Sequence, residues 1–265
     1  IGKNVLRFED DRLLSGNAEY TSDIKFDNLL HLTFLRSNIS HGKIISINTK
    51  NAKKLEGVHG VFTYKDFENI PPIKSNSRMK GYHATSQYIL CNDKVRYVGE
   101  PIAVILAENR YIGEDAAELI QVDVEDLDPV IKTLEASKSS SAILHDEINS
   151  NIILERNFSN GNEEFLNHQN ILSVKSLFKM KRKSPISMEP RSYVCNFDKR
   201  TQILTLFSST QVPGVIKDAL SLFLKIPGNF LNVVAPDVGG GFGGKASLYP
   251  EEIITVLLCQ KFKRP

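Results

Sequence analysis

Short apolar runs separated by polar turns form the first part of the chain. The runs Leu29–Ser37, Ile44–Ile47 and Val61–Tyr64 have the length and residue types of strands. Between the last two runs, Ala52–Leu55 has the pattern of a short helix, which Gly57 ends. We therefore expect the chain to begin with a unit that mixes strands and helices.

The clearest strand-to-helix pattern follows these elements. Ile102–Ala107 is a continuous apolar run, which is typical of a strand covered on both faces. Asn109 is placed to cap a helix over Arg110–Ile120, whose apolar residues recur at helical spacing. Gln121–Glu125 then alternates like a strand with one face in water. The first unit is predicted to be a compact α/β domain over residues 1–132.

Composition changes after the first unit. Ser, Asn and Gly crowd residues 133–164, which predicts a connecting segment. In the second unit, residues 165–265, ordered structure is expected to resume at Ile171–Phe178. Ser192–Asp198 and Gln202–Ser208 then alternate apolar and polar residues around a polar turn, so they predict a hairpin.

A glycine loop near the end of the chain is the strongest local signal. An amphipathic helix over Val215–Leu224 and a strand over Phe230–Ala235 lead into it. Five of the six residues Gly239–Gly244 are glycine. Such a backbone can adopt positive φ and bring its amides against a ligand with no Cβ in the way. Because the loop follows a strand and precedes an expected helix, its amides are predicted to face an anion such as a phosphate.

Two nucleotide-binding motifs fit this loop incompletely. Gly239, Gly241 and Gly244 satisfy the dinucleotide fingerprint G-x-G-x-x-G, but the acidic residue expected ~20 positions later is missing. With Lys245 the loop also satisfies the phosphate-loop pattern G-x-x-x-x-G-K, yet Ala246 stands where Ser or Thr would hold magnesium. A purely structural glycine turn is a further alternative.

Longer motifs around the loop resemble a known family. Ser209-Thr210-Gln211-Val212-Pro213, a helix, a strand and Asp237–Lys245 follow one another as in the molybdenum-binding large subunits of the xanthine oxidase family. This family includes aldehyde oxidoreductases and aerobic carbon monoxide dehydrogenases. Further matching strings are Gly16–Ile24, Leu55–Val58, Val95–Pro101, Asp115–Glu118 and Met188-Glu189-Pro190-Arg191. The resemblance covers nearly the whole chain, which is identified as the N-terminal portion of such a subunit.

The resemblance implies a fold and a cofactor. The fold is α+β, an α/β hammerhead domain followed by the first part of the molybdopterin-binding domain. The cofactor is molybdenum–molybdopterin in its cytosine dinucleotide form. Gln211 is expected to hydrogen-bond an oxo ligand of the molybdenum, and no side chain of this chain is expected to ligate the metal itself. The cofactor-binding backbone is expected at Gly240, Gly241, Phe242 and Gly243, with the Phe242 ring excluding water.

The resemblance also implies an activity and partners. The reaction is the oxidation of an aldehyde or carbon monoxide with water as the oxygen source, and electrons pass to [2Fe–2S] and FAD on small and medium partner subunits. Purine-oxidising members carry glutamate directly after the loop lysine, so Ala246 counts against a purine substrate.

No catalytic residue is identified within the chain. The general base of the family is expected beyond residue 265, and Glu251 and Glu252 are interpreted as structural. The chain is therefore expected to be inactive without the C-terminal remainder of the subunit. The alternatives are a non-catalytic assembly module from a split gene and, more remotely, a nucleotide-binding protein of the phosphate-loop type.

The charge and cysteine content limit the binding partners and the cellular compartment that we expect. The 33 Lys and Arg residues against 31 Asp and Glu give a net charge of +2, which creates no general field to attract nucleic acid or an anionic membrane. The local cluster Lys179, Lys181, Arg182 and Lys183 is interpreted as a solvated hairpin tip or a contact with an acidic partner.

No apolar stretch approaches the ~20 residues that span a bilayer. Three cysteines without paired spacing suit the reducing cytoplasm.

Overall fold

The computed structural model describes residues 2–75, 77–158, 172 and 174–265. In these residues the helices are α1 (Asp10–Leu14), α2 (Arg110–Glu118), α3 (Thr133–Ala136), α4 (Pro213–Leu224) and α5 (Pro250–Phe262). The strands are β1 (His31–Arg36), β2 (Gly42–Asn48), β3 (Val58–Thr63), β4 (Ile73–Lys74), β5 (Ser86–Gln87), β6 (Lys94–Val95), β7 (Pro101–Ala107), β8 (Gln121–Asp126), β9 (Tyr193–Phe197), β10 (Leu204–Ser208) and β11 (Leu231–Val234).

The first unit contains two three-stranded antiparallel sheets. In one sheet, β7 lies between β1 and β3. Every residue of β7 is buried, which confirms the prediction of a strand covered on both faces. In the other sheet, β2 lies between β6 and β8. The short strands β4 and β5 form a separate pair.

Helix α2 begins where the sequence indicates. The Asn109 side chain accepts a hydrogen bond from the backbone N–H of Ile112 at 3.0 Å, which satisfies one of the free donors of the first turn. Ala116 on this helix is fully buried and packs into the core beside β7. The predicted strand–helix–strand order from β7 through α2 to β8 is therefore confirmed.

The second unit is built on a three-stranded sheet. Strands β9 and β10 form the predicted antiparallel hairpin, and β11 pairs with β10 in parallel. Helix α4 connects β10 to β11, as the return of a parallel strand requires. Lys225 adopts a left-handed conformation with φ +55° and ends this helix.

Helix α5 of the second unit packs against its own sheet and also against the first unit. The Phe262 ring meets the edge of the Phe62 ring on β3, with centroids 6.2 Å apart. The backbone N–H of Leu30 donates to the carbonyl of Pro265 at 2.8 Å. One continuous apolar core therefore contains residues of the first unit together with β9, β10, α4 and α5.

Two predicted elements differ from the structure. Ala52–Lys54 forms a 3₁₀ turn rather than an α-helix. In the expected ordered run Ile171–Phe178, Ile171 and Ser173 lie outside the described residues, and residues 174–178 form neither helix nor strand. Leu177 and Phe178 are 81 % and 87 % exposed, because no strand in the described ranges pairs with this segment.

The same segment continues into the basic cluster around Lys181. Its residues are exposed, as expected, but no hairpin forms there. None of the helices in the described residues has the length and apolarity needed to cross a membrane. The domain limits 1–132, 133–164 and 165–265 stay predictions.

Candidate cofactor-binding site

The glycine loop lies between β11 and α5 and is held at both ends. Asp237, just before the loop, pairs with Arg12 and accepts the backbone N–H of Glu19 at 2.8 Å. Arg12 also holds the pKa of the Asp237 carboxyl at about 2. After the loop, the Tyr249 hydroxyl donates to the carbonyl of Gly244 at 2.6 Å. The loop is therefore a fixed connection between two packed elements.

Three residues of the loop have positive φ. Gly240 and Gly243 have φ of +93° and +87°, which only glycine adopts without strain. Phe242 has φ of +49°, and its side chain is 74 % exposed. The structure therefore places an exposed aromatic ring between two conformationally required glycines.

Gln211 contacts the loop directly. Its side-chain oxygen Oε1 accepts the backbone N–H groups of Gly243 at 3.0 Å and Lys245 at 3.3 Å. A Cβ added to Gly241 would lie 2.5 Å from the same oxygen, so the close packing of loop on side chain requires glycine. The amide nitrogen Nε2 of Gln211 makes no hydrogen bond to the described residues, and its two N–H groups are available as donors.

Three consecutive loop amides are also available. Within the described part of the chain, the N–H groups of Gly240, Gly241 and Phe242 make no hydrogen bond. The N–H of Gly243 is already bonded to Gln211. The structure thus brings all five predicted site residues together, and four of them present free N–H donors.

A buried ion pair beneath the loop was not predicted. The ammonium of Lys245 lies 2.8 Å from Oε2 of Glu189, and the two side chains are only 3 % and 10 % exposed. The sequence placed each residue within a motif, but the two are 56 positions apart and nothing in the sequence indicated that they are in contact. A phosphate-loop lysine binds the phosphates of a nucleotide, but the ammonium of Lys245 is paired with Glu189. This pairing counts against the phosphate-loop alternative.

The two carboxylates at the start of α5 are bonded within the protein. Glu252 accepts the Ser208 hydroxyl at 2.7 Å and the backbone N–H of Tyr249 at 3.0 Å. Burial raises the pKa of Glu252 to about 7. Glu251 accepts a hydrogen bond from the guanidinium of Arg36 at 2.6 Å. These contacts agree with the interpretation of both glutamates as structural.

A cavity of about 450 Å³ lies between the two units, away from the loop. Arg36, Arg191, Tyr193 and Glu251 are among its lining residues, and no residue of the glycine loop reaches it. Among the described residues, no group of three or more His, Cys, Asp or Glu is placed to hold a metal ion.

Comparison with protein families assigns both units. Residues 15–128 match the family described as aldehyde oxidase and xanthine dehydrogenase, a/b hammerhead domain. Residues 144–265 match the molybdopterin cofactor-binding domain. The chain belongs to the xanthine oxidase family. It corresponds to the N-terminal portion of the molybdenum-binding large subunits of this family, so the predicted α+β fold, a hammerhead domain followed by a molybdopterin-binding domain, is confirmed.

Similar proteins are molybdenum hydroxylase subunits. The nicotine 6-hydroxylase large subunit of Paenarthrobacter nicotinovorans is 36% identical over 100% of this chain and 32% of its own length. The carbon monoxide dehydrogenase large chain of Afipia carboxidovorans is 30% identical over 97% of this chain and 33% of its own length. The crystal structure of quinoline 2-oxidoreductase from Pseudomonas putida 86 superposes with a TM-score of 0.90 at 36% identity, covering 100% of this chain and 34% of that one. The chain spans about a third of the length of these two curated relatives.

Proposed function

We propose that this chain is the cofactor-binding N-terminal part of a large subunit that hydroxylates an electrophilic carbon, with water as the source of oxygen. The observation that carries the proposal is the state of Gln211. Its Oε1 is held by two loop amides, at 3.0 Å and 3.3 Å, while its Nε2 is free to donate. The Gln211 side chain is thus held in place through its oxygen, and its amide nitrogen could donate a hydrogen bond to an oxo ligand.

The donor set fits a molybdenum–molybdopterin cofactor. The free N–H groups of Gly240, Gly241, Phe242 and Gln211 are all neutral, so they can bond an oxo oxygen and pterin heteroatoms without adding charge. Gly241 has no side chain of its own, which allows the Gln211 side chain to pack directly on the loop backbone. When bound, the cofactor would supply the two-electron oxidation, and the protein would supply binding and orientation.

The residues of this chain then have separate tasks. Gln211 would orient the metal by donating from Nε2, and the backbone N–H groups of Gly243 and Lys245 keep its amide plane in place. The exposed Phe242 ring would cover the bound cofactor and exclude water beside it. The proton of the reaction is assigned to a base outside residues 1–265, because Glu251 and Glu252 are engaged by Arg36 and Ser208.

The substrate class is proposed from the loop and from the relatives. Ala246 in place of glutamate disfavours a purine and agrees with an aldehyde or carbon monoxide. A nitrogen heteroaromatic ring is a second candidate, because nicotine 6-hydroxylase and quinoline 2-oxidoreductase, each 36% identical, are more similar to this chain than the carbon monoxide dehydrogenase chain at 30%.

The remaining partners are proposed on the same basis. Several relatives are named as large subunits or as a subunit of a dehydrogenase complex, which supports FAD and [2Fe–2S] carriers on medium and small partner subunits. We infer the cytosine dinucleotide form of the cofactor from the family resemblance. The cytoplasm is proposed as the location because Cys91, Cys195 and Cys259 are all free and buried.

The test uses the complete large subunit expressed with its partner subunits. We expect about one molybdenum per subunit and incorporation of ¹⁸O from labelled water into the product of nicotine, quinoline, benzaldehyde or carbon monoxide. The 265-residue chain alone is expected to hold no stoichiometric molybdenum. A complete complex that carries molybdenum but oxidises none of these compounds would favour the assembly module. Stabilisation of the chain by ATP and magnesium, by about 2.7 kcal/mol at 100 times the Kd, would favour the nucleotide alternative.

A further inference from the structure

The buried pair of Glu189 and Lys245 has no part in the chemistry proposed above. Their side chains bond each other at 2.8 Å and are only 10 % and 3 % exposed. We propose that this pair clamps the two ends of the glycine loop and thereby positions Gln211, which makes Glu189 a positioning residue. The consequence for catalysis rests on the proposed function, whereas the clamp itself is a property of this chain.

Glu189 binds both backbone groups of Gly239, the first residue of the loop. Its backbone N–H donates to the carbonyl of Gly239 at 3.2 Å, and its Oε2 accepts the N–H of Gly239 at 2.8 Å. A Cβ on Gly239 would lie 2.5 Å from the Cβ of Glu189, so the approach depends on glycine. The first loop residue is therefore fixed to the segment that carries Glu189.

Lys245 joins this anchor to Gln211. Its ammonium bonds the same Oε2 of Glu189 at 2.8 Å. Its carbonyl accepts the backbone N–H of Gln211 at 3.0 Å and the hydroxyl of Thr210 at 3.1 Å, and its N–H donates to Oε1 of Gln211 at 3.3 Å. Movement of Lys245 would therefore disturb three contacts of the Ser209–Val212 segment.

The energetics favour positioning over plain stabilisation. Taking two charges out of water is costly, and a buried pair of this kind is often no more stable than apolar residues of similar volume. Here Oε1 of Glu189 is also buried without a hydrogen bond among the described residues, so the desolvation is not fully compensated. An ion pair does what apolar residues cannot, because it fixes one orientation of the lysine and of the loop end attached to it.

The experiment measures the loop directly in the 265-residue chain. Amide hydrogen exchange would be followed by NMR in wild type, in Glu189→Gln and in the double variant Glu189→Gln/Lys245→Met. The double variant leaves no buried charge unpaired, so it keeps the test decisive if the single variant fails to fold. We expect exchange at Gly243 and at position 245 to accelerate about tenfold or more in the double variant. The amides of Asn196 and Thr205, which form a hydrogen-bonded pair of the β9–β10 hairpin, should keep their wild-type protection.

Combining Gln211→Ala with the double variant tests whether the ion pair acts through Gln211 or only stabilises the chain in general. Gln211→Ala should accelerate exchange at Gly243 in wild type, and it should add almost nothing in the double variant, where the contact is already lost. Glu114→Gln, which breaks the exposed pair with Arg110, is the matched control and should leave the loop unchanged. Wild-type exchange at Gly243 in the double variant, or additive effects of Gln211→Ala, would overturn the proposal. Because exchange needs no cofactor, failure of the complete enzyme to bind molybdenum would reject only the proposed function.

Discussion

Arg36 on β1 and Glu251 on α5 link the two units through an ion pair, with 2.6 Å between Nη2 and Oε1. Glu251 is 8 % exposed, and its other oxygen is buried without a hydrogen bond in the described part of the chain. The pair lies beside the cavity between the units, which both residues line. Arg36 is therefore the group that compensates a carboxylate buried where the two units meet.

Removal of this guanidinium should destabilise the chain. Arg36→Met keeps much of the aliphatic stem but leaves Glu251 without its partner, so we expect the free energy of unfolding at pH 7 to fall by about 1–3 kcal/mol. Urea denaturation of the purified chain measures this loss. Arg110→Met, which breaks an exposed pair with Glu114 within one helix, is the control and should cost no more than about 0.5 kcal/mol. Equal losses in the two variants would contradict a structural role for the pair.

Stability should depend on pH through Glu252. Its pKa is raised by burial from 4.5 to about 7, so between these values the folded chain keeps a proton that the unfolded chain has released. The contribution of Glu252 is therefore full below about pH 4.5 and is lost as pH rises through about 7. This contribution alone should lower the free energy of unfolding by about 3 kcal/mol over this window and then level off.

Comparison with Glu252→Gln isolates this contribution. The amide imitates the protonated acid, since its oxygen can face the N–H of Tyr249 while its nitrogen donates to Ser208. The difference in unfolding free energy between wild type and variant should change with pH between 4.5 and 7. The exposed Glu118→Gln should follow the wild-type curve. Parallel curves for wild type and Glu252→Gln would show that this residue does not carry the dependence.

Local signals predicted most of the second unit. The polar turn between β9 and β10, the apolar spacing of α4 and the glycine loop are each local patterns of a few neighbouring residues. The hairpin, the helix and the loop therefore lie where expected. Gln211 could be placed beside the loop only by resemblance, because it and Gly241 are 30 positions apart with a helix and a strand between them. The contact itself needed the structure.

Contacts between distant segments could not be predicted. Glu189–Lys245 and Arg36–Glu251 join residues on separate elements, and no residue pattern specifies such a pair. At Ile171–Phe178 the sequence predicted an ordered element, but residues 174–178 form neither helix nor strand. Apolar residues such as Leu177 and Phe178 favoured a packed element, but a strand also needs a partner for its backbone, and the described residues offer none.

Glycine substitutions should distinguish packing from backbone conformation. Gly241→Ala would force a Cβ to within 2.5 Å of Gln211 Oε1 and displace the amide from two N–H groups, so we expect a loss of about 1–3 kcal/mol in unfolding free energy. Gly243→Ala meets no atom but must hold φ +87°, which should cost about 1–2 kcal/mol.

Gly214→Ala is the control for both substitutions. A Cβ at Gly214 on α4 meets nothing within 4 Å, and alanine favours a helix, so this variant should be neutral or more stable by up to about 1 kcal/mol. Thermal and urea unfolding would rank the three variants. If Gly241→Ala were as stable as Gly214→Ala, the close packing of Gln211 on the loop would be wrong.

The assignment of Gln211 is tested by its removal from the complete complex. Gln211→Ala deletes the free Nε2 donor, and the loss of one preorganised donor at a reacting centre commonly lowers turnover about 10²–10³-fold, or ~3–4 kcal/mol. Molybdenum content should stay near one per subunit, because the backbone donors at Gly240 and Gly241 remain. The control Gln260→Ala, on an exposed position of α5, should leave turnover unchanged and alter stability by less than about 0.5 kcal/mol. Wild-type turnover of Gln211→Ala at full metal loading would reject the donor role and still leave the family membership standing, because that rests on matches over residues 15–128 and 144–265.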